Sequence, residues 1–129
     1  MEPTFLTLDE ILAIHNDQID RYGGSKGVRD WNLLHSAIGT PAATFGGKFL
    51  HTSLFEMAAA YLFHIVQNHP FIDGNKRVGA VAADVFLAMN DVHLTATQDD
   101  FADLVISVAC GGTNKSTVAE FLSENWTPA

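Results

Sequence analysis

Residues 53–77 have the sequence SLFEMAAAYLFHIVQNHPFIDGNKR, in which a long apolar stretch runs directly into a polar one. Ser53 followed three positions later by Glu56 is a capping-box pattern, which predicts a helix from there to about Asn68. The apolar residues of this helix cover nearly its whole circumference. In a soluble protein such a helix lies at the centre of a bundle, so we expect the rest of the chain to pack around it.

The polar part, HPFIDGNKR at 69–77, separates two apolar helices. Pro70 disfavours helical geometry at the residue before it, and Gly74 permits a positive φ, so a new helix can begin immediately afterwards. The unpaired N–H groups at that helix start form an anion site, strengthened by the helix dipole. Lys76 and Arg77 place two cations at the same positive end, which a bound anion would explain. The pattern predicts a polyphosphate site.

The other side chains of this segment suit phosphate chemistry. Asp73 can hold a Mg²⁺ that bridges phosphate oxygens, and Asn75 can cap the helix or hydrogen-bond a phosphate. His69 is the only group in the segment whose ordinary pKa lies near neutrality, so it is the candidate base for a hydroxyl nucleophile. The apolar residues are expected to anchor the segment in the core: Phe71 and Ile72.

Patterns elsewhere predict an all-α fold, a compact bundle of about six helices formed by one domain over residues 1–129. The other expected helices run from the Thr7–Glu10 capping pair to near Tyr22, from Asp30 to Gly39, from about Asn75 to Asn90, from Thr97 to Cys110 and from Ser116 to Trp126. Residues 44–52, with a Gly-Gly pair, lack a helical period and predict a loop or short hairpin, and 92–94 predict an extended link.

Composition limits the classes of function. The 129 residues are 47% hydrophobic and 17% charged, as in a globular domain. Seven lysines and arginines against fifteen aspartates and glutamates give a net charge of −8, which disfavours direct binding of nucleic acid. Cys110 is the only cysteine, so there is no intramolecular disulfide. The N-terminus lacks a signal-peptide pattern and no apolar run is long enough to cross a bilayer, so we expect a cytoplasmic protein without a membrane partner.

The segment HPFIDGNKR resembles the signature loop of the Fic/Doc superfamily, and within it the Doc (death-on-curing) branch. The similarity extends over nearly the whole chain and includes YGGSKGVRD at 22–30, LLHSAI at 33–38, TFGG at 44–47 and STVAEFL at 116–122. Fic proteins that transfer AMP typically have HxFxDGNGRxxR. Here Lys76 replaces the last glycine of that pattern and Ala80 stands at its second arginine. Both departures are similar to Doc.

The resemblance implies a toxin of a type II toxin–antitoxin pair. In Doc-like proteins ATP is bound in the opposite sense, so that the γ-phosphoryl group is transferred to a serine or threonine hydroxyl. The implied target is a translation factor such as elongation factor Tu, with Mg²⁺ as cofactor and ATP as co-substrate. Self-inhibited Fic proteins carry [S/T]xxxE[G/N]. The nearest match is Ser116 to Glu120, followed by Phe121, so a separate antitoxin protein is expected.

The sequence is also compatible with other interpretations. AMP transfer to a protein hydroxyl is the alternative reaction, a non-catalytic binding member is the alternative class, and another phosphate-containing donor is compatible with the loop. A merely structural interhelical loop would explain Asp73 and Asn75 but not two cations in a first helical turn. Arg29 is either an exposed neighbour of a helix cap or a substrate contact. His64 and Cys110 are expected in the core, and Phe45 to Thr52 form either a mobile flap or an ordinary loop.

Overall fold

A computed structural model describes residues 2–129, and within this range the predicted all-α bundle is confirmed. Its six helices are α1 (Leu8–Tyr22), α2 (Trp31–Gly39), α3 (Leu54–Asn68), α4 (Asn75–Met89), α5 (Gln98–Ala109) and α6 (Lys115–Glu124). A 3₁₀ turn at Thr40–Ala42 continues α2. Two small antiparallel ribbons pair β1 (Thr44–Phe45) with β2 (Lys48–Phe49), and β3 (Val92–Leu94) with β4 (Trp126–Pro128). None of the helices in this range is both long and apolar enough to span a membrane.

Helix α3 is the centre of the bundle, as its apolar circumference predicts. It packs against α2, α4, α5 and α6, and eight of its residues are buried: Met57, Ala58, Ala59, Ala60, Tyr61, Leu62, Ile65 and Val66. The one polar atom deep in this set is satisfied, because the Tyr61 hydroxyl accepts a hydrogen bond from the Leu6 N–H at 2.9 Å. Burial raises the pKa of Tyr61 to about 12, so the phenol stays protonated.

Close contact between α3 and α4 depends on a glycine. A Cβ added to Gly79 would lie 2.7 Å from Val66 Cγ2 and 3.1 Å from the Leu62 carbonyl oxygen. Both distances are shorter than ordinary van der Waals contact, so only a residue without a side chain permits this approach. The small side of α4 thus lets it lie close to the central helix, and this packing places the start of α4 beside the end of α3.

Most helix starts are as predicted, with one correction. Thr7 and Glu10 form a complete capping box at α1, and Asp30 and Thr97 cap α2 and α5. At α3, Ser53 accepts the Glu56 N–H at 3.1 Å, but the Glu56 carboxylate binds the N–H and hydroxyl of residue 52 at 3.1 and 2.7 Å. The capping box predicted there is therefore only half formed.

Three further expectations are wrong. Helix α6 ends at Glu124 rather than at Trp126, because residues 126–128 pair with β3. Cys110 is exposed instead of buried, since it follows the last turn of α5. Ile72 does not anchor the polar segment and is 57% exposed. Residues 44–49 form the short hairpin that was one of the two alternatives for this region.

Candidate active site

The polar segment forms a closed loop between α3 and α4. His69 follows the last residue of α3 in the left-handed conformation, with φ 48°, and Gly74, with φ 82°, directly precedes the first residue of α4. Phe71 is 1% exposed and anchors the loop as predicted. The Asn75 side chain closes it, because its Oδ1 accepts the Phe71 N–H and its Nδ2 donates to the Phe71 carbonyl, each at 3.0 Å. The side-chain amide of Asn75 is thus used by the loop and does not cap α4, while its backbone N–H remains available to an anion.

Helix α1 contacts the core side of the loop through His15, a residue that the sequence did not predict to be part of the site. His15 is 3% exposed, and its Nε2 donates to the Asp73 carbonyl oxygen at 2.9 Å. Its ring is stacked on Phe71, with centroids 4.0 Å apart and planes 7° from parallel. In the sequence His15 is a polar residue at a helical spacing otherwise occupied by apolar ones, and this local pattern does not distinguish a core histidine from one that supports the loop.

The segment that follows α1 supports the loop from the side. Ile72 N–H donates to the Gly27 carbonyl at 3.1 Å, and the Pro70 carbonyl accepts the Arg29 N–H at 2.7 Å. The Arg29 guanidinium donates to the carbonyls of Asn68 and His69 at 2.9 and 2.7 Å, which satisfies the last carbonyls of α3. Arg29 is exposed beside the cap of α2, and it also holds the end of the central helix, a role that neither alternative from the sequence included.

The Asp73 carboxylate is oriented by two backbone donors. Its Oδ1 accepts the Gly74 N–H at 2.9 Å and its Oδ2 accepts the Ser25 N–H at 3.2 Å. The side chain is exposed, and each oxygen keeps a lone pair for a cation. Residues 2–129 contain no group of three or more histidine, cysteine, aspartate or glutamate side chains arranged around a common metal position. A Mg²⁺ held by one carboxylate together with phosphate oxygens and water fits this donor set.

The two cations of the first turn of α4 differ in their contacts. The α4 start has no side-chain cap, so its first N–H groups remain available to an anion. Lys76 is exposed and makes no hydrogen bond or ion pair with any residue that the structure describes. Arg77 instead donates to the carbonyls of Gln18 and Gly23 at 3.3 and 3.0 Å, and its guanidinium lies 5.8 Å from the Tyr22 ring centroid. Lys76 is therefore the more accessible cation.

A cavity of about 290 Å³ brings these groups together. It is lined by His69, Ile72, Asp73, Gly74, Asn75, Lys76, Arg77 and Ala109. Every candidate site residue from the sequence lies on it except Phe71, which holds the loop from the core side. Ala109, at the end of α5, was not predicted, since nothing in the pattern of α5 indicates which neighbour its last turn meets.

Comparisons with known proteins identify the family of this chain. The family model described as "Fic/DOC family" matches residues 5–87, a range that contains α1, the Gly-rich segment at 23–27 and the whole loop. The chain is 35% identical over 114 residues to "Protein kinase doc" of Escherichia phage P1, covering 88% of this chain and 89% of that protein. It is 39% identical over 104 residues to "Toxin Doc" of Mycolicibacterium smegmatis, covering 79% and 80%. The chain therefore belongs to the Fic/DOC family and is a Doc-like toxin.

Proposed function

We propose that this protein transfers the γ-phosphoryl group of ATP to a serine or threonine hydroxyl of a target protein. The observation that carries the proposal is the single cavity shared by an uncapped helix start, the oriented Asp73 carboxylate, the Lys76 ammonium and the His69 imidazole. One of the similar proteins, from phage P1, is named a protein kinase. Phosphoryl transfer requires mainly positioning and charge neutralisation, which this set of groups can supply.

Each residue would have a distinct part in the reaction. The N–H groups of Asn75 to Arg77 and the Lys76 side chain would bind phosphate oxygens, with Arg77 bordering the same cavity, while the Gly74 N–H holds the Asp73 carboxylate. His69 would accept the proton of the target hydroxyl while the hydroxyl oxygen forms a bond to the γ-phosphorus. The bond between the γ-phosphorus and the β–γ bridging oxygen would break at the same time, and ADP would leave with that oxygen. Asp73 would hold Mg²⁺, which neutralises phosphate charge when bound.

Lys76 favours the kinase over AMP transfer, the second candidate. At this position an AMP-transferring relative has glycine, whose place an anion can approach closely. The Lys76 side chain occupies that space at the cavity and adds a positive charge. The second arginine of the AMP-transfer pattern is replaced by Ala80, which removes one phosphate contact. Both differences support a different placement of the nucleotide.

The expected partners follow from the same proposal. The target would be a translation factor such as elongation factor Tu, reached in the cytoplasm, and a separate antitoxin would restrain the protein. The nearest match to an internal inhibitory segment lies on α6, and its Glu120 is exposed and does not line the cavity. A glutamate in that position does not occupy the nucleotide site, which supports restraint by another chain.

Labelled nucleotide tests the reaction. We expect purified protein with Mg²⁺ and a cell lysate to transfer label to protein from γ-labelled but not from α-labelled ATP. His69→Ala and Asp73→Ala should each lower the rate about 100-fold or more, whereas His93→Ala, at an exposed position of β3, serves as the matched control.

Three outcomes distinguish the alternatives. Label passing only from the α position would establish AMP transfer instead. Absence of label from either position, together with growth inhibition that survives His69→Ala and Asp73→Ala, would establish a binding protein. Transfer from a different phosphate-containing donor, with ATP inactive, would change the co-substrate but keep the site.

A further inference from the structure

His15 contacts the loop at the peptide unit that joins Asp73 to Gly74. Its Nε2 is 2.9 Å from the Asp73 carbonyl oxygen, so that nitrogen carries the proton and donates. The ring is 3% exposed and lies flat on Phe71, which fixes the plane in which the donor points. The same residue therefore touches both the apolar anchor of the loop and the backbone beside its carboxylate.

The geometry of a trans peptide links this contact to the cavity. In a planar trans unit the C=O and the N–H point in opposite directions. Because His15 holds the Asp73 carbonyl on the core side, the Gly74 N–H of the same unit must point away from the core. It donates to Asp73 Oδ1 at 2.9 Å, and Ser25 N–H holds the other oxygen at 3.2 Å. The orientation of the carboxylate thus depends on how the peptide is held.

We propose that His15 is a positioning residue that fixes the Asp73–Gly74 peptide and, through the Gly74 N–H of that peptide, the Asp73 carboxylate at the cavity. The proposal rests on the proposed function for its consequence in nucleotide binding, while the peptide orientation can be measured independently. His15 does not line the cavity, so it acts through the loop and touches no reacting atom.

Histidine meets two requirements at this position that other side chains meet separately. A flat ring on the buried face of α1 is required to stack on Phe71. A donor at the far edge of that ring is required to reach the Asp73 carbonyl oxygen. Phenylalanine would supply the ring without the donor, leaving the partly buried Asp73 carbonyl without its partner on α1. Glutamine would supply a donor at a similar reach without the ring. These two substitutions therefore separate the two contacts.

The experiment compares His15→Phe and His15→Gln with Ile11→Val, a core change one turn earlier on the same helix. Two quantities are measured: the amide resonance of Gly74 in ¹H–¹⁵N spectra of the free protein, and the Kd for Mg²⁺·ATP by calorimetry. We expect His15→Phe to shift the Gly74 resonance and to raise Kd between about 10-fold and 100-fold. His15→Gln should change the Gly74 resonance and the Kd less than His15→Phe does. Ile11→Val should change neither quantity, although it should lower the thermal stability about as much as His15→Phe.

The readouts are separable. An unshifted Gly74 resonance in folded His15→Phe would overturn the positioning role, as would an equal rise of Kd in Ile11→Val. A wild-type protein that fails to bind Mg²⁺·ATP would contradict the proposed function, and the Gly74 resonance would still decide whether His15 holds the peptide. If His15→Phe does not fold, His15→Gln carries the test through its own shift and Kd.

Discussion

Gly24 faces the Asp73 carboxylate across a very short gap. Its φ is +120°, and a Cβ built there would lie 2.6 Å from Asp73 Oδ2 and 3.0 Å from Ile19 Cδ1. Gly23, its neighbour, also has a positive φ of +83°, but a Cβ there would meet nothing within 4 Å. The two glycines thus share a backbone conformation that L side chains rarely adopt, and only one of them is also pressed against the candidate metal ligand.

This difference predicts the behaviour of two alanine variants. Gly23→Ala and Gly24→Ala should both lower the melting temperature, because each strains the backbone at positive φ. Gly24→Ala should in addition displace the carboxylate and lower the transfer rate by about 10-fold to 100-fold, since small misplacements of positioning groups have effects of this size. Rates measured at saturating and limiting Mg²⁺ for both variants would check this. Equal activity of the two variants at equal stability would contradict it.

At the scale of elements, the contact of α3 with α4 sets the position of the site. The loop leaves the end of α3 and returns at the start of α4, so the distance between these helices limits where its groups can lie. Gly79 permits that distance, because a methyl group there would contact Val66 Cγ2 and the Leu62 carbonyl oxygen. A carbonyl oxygen of the central helix cannot move aside without moving the helix itself.

A glycine-to-alanine substitution should therefore change the free energy of unfolding in opposite directions in α4 and in α2. Gly79→Ala should lower the free energy of unfolding by about 1–2 kcal/mol, because overpacking outweighs the better helix propensity of alanine. Gly39→Ala, at the end of α2, should raise it by about 0.4–1 kcal/mol, since its backbone is helical and a Cβ there meets nothing within 4 Å. Urea denaturation of both variants measures the two signs. A stabilised Gly79→Ala would show that the helices can separate freely.

At the scale of the whole molecule, α3 and α6 meet at a histidine and a lysine. His64 Nε2 is 3.1 Å from Lys115 Nζ, so the expected hydrogen-bond partner is present, but the side chain is only partly buried and its expected position in the core is wrong. Burial, followed by the positive charge of Lys115, lowers the pKa of His64 to about 4. Burial also lowers the pKa of Lys115, and burial followed by Lys115 lowers that of His51. These groups form a partly buried cluster that disfavours further positive charge.

The cluster predicts how stability depends on pH. Between about pH 6.5 and pH 4 the unfolded chain binds a proton at His64 while the folded protein does not, so the free energy of unfolding falls as pH decreases. His64→Gln should reduce this fall without abolishing it, because His51 contributes in the same direction. Lys115→Met should reduce it less, since burial is the larger cause. Urea titrations at several pH values would test this, and an unchanged slope in His64→Gln would refute it.

Local patterns in the sequence predict the six helices, apart from the end of α6 and half of the capping box of α3, and they predict the segment that carries the candidate site. Each helix start or end lies within a few residues of the signal that predicts it: a cap, an apolar period, Pro70 or Gly74. Spacing along the chain alone therefore predicts these helix ends. The candidate residues His69 and Lys76 were found in the same way, because one short loop places both on the cavity.

The supports of the loop could not be predicted, because they come from distant parts of the chain. His15 and Asp73 are 58 residues apart, and Arg29 and His69 are 40 apart. A polar side chain such as Asn75 can bond a phosphate or a backbone group equally well, and its sequence neighbours do not distinguish these partners. The packing of α1 against α4, and the hydrogen bonds of residues 25–30 to the loop, select the partner, since they determine which groups are buried together and must be hydrogen-bonded.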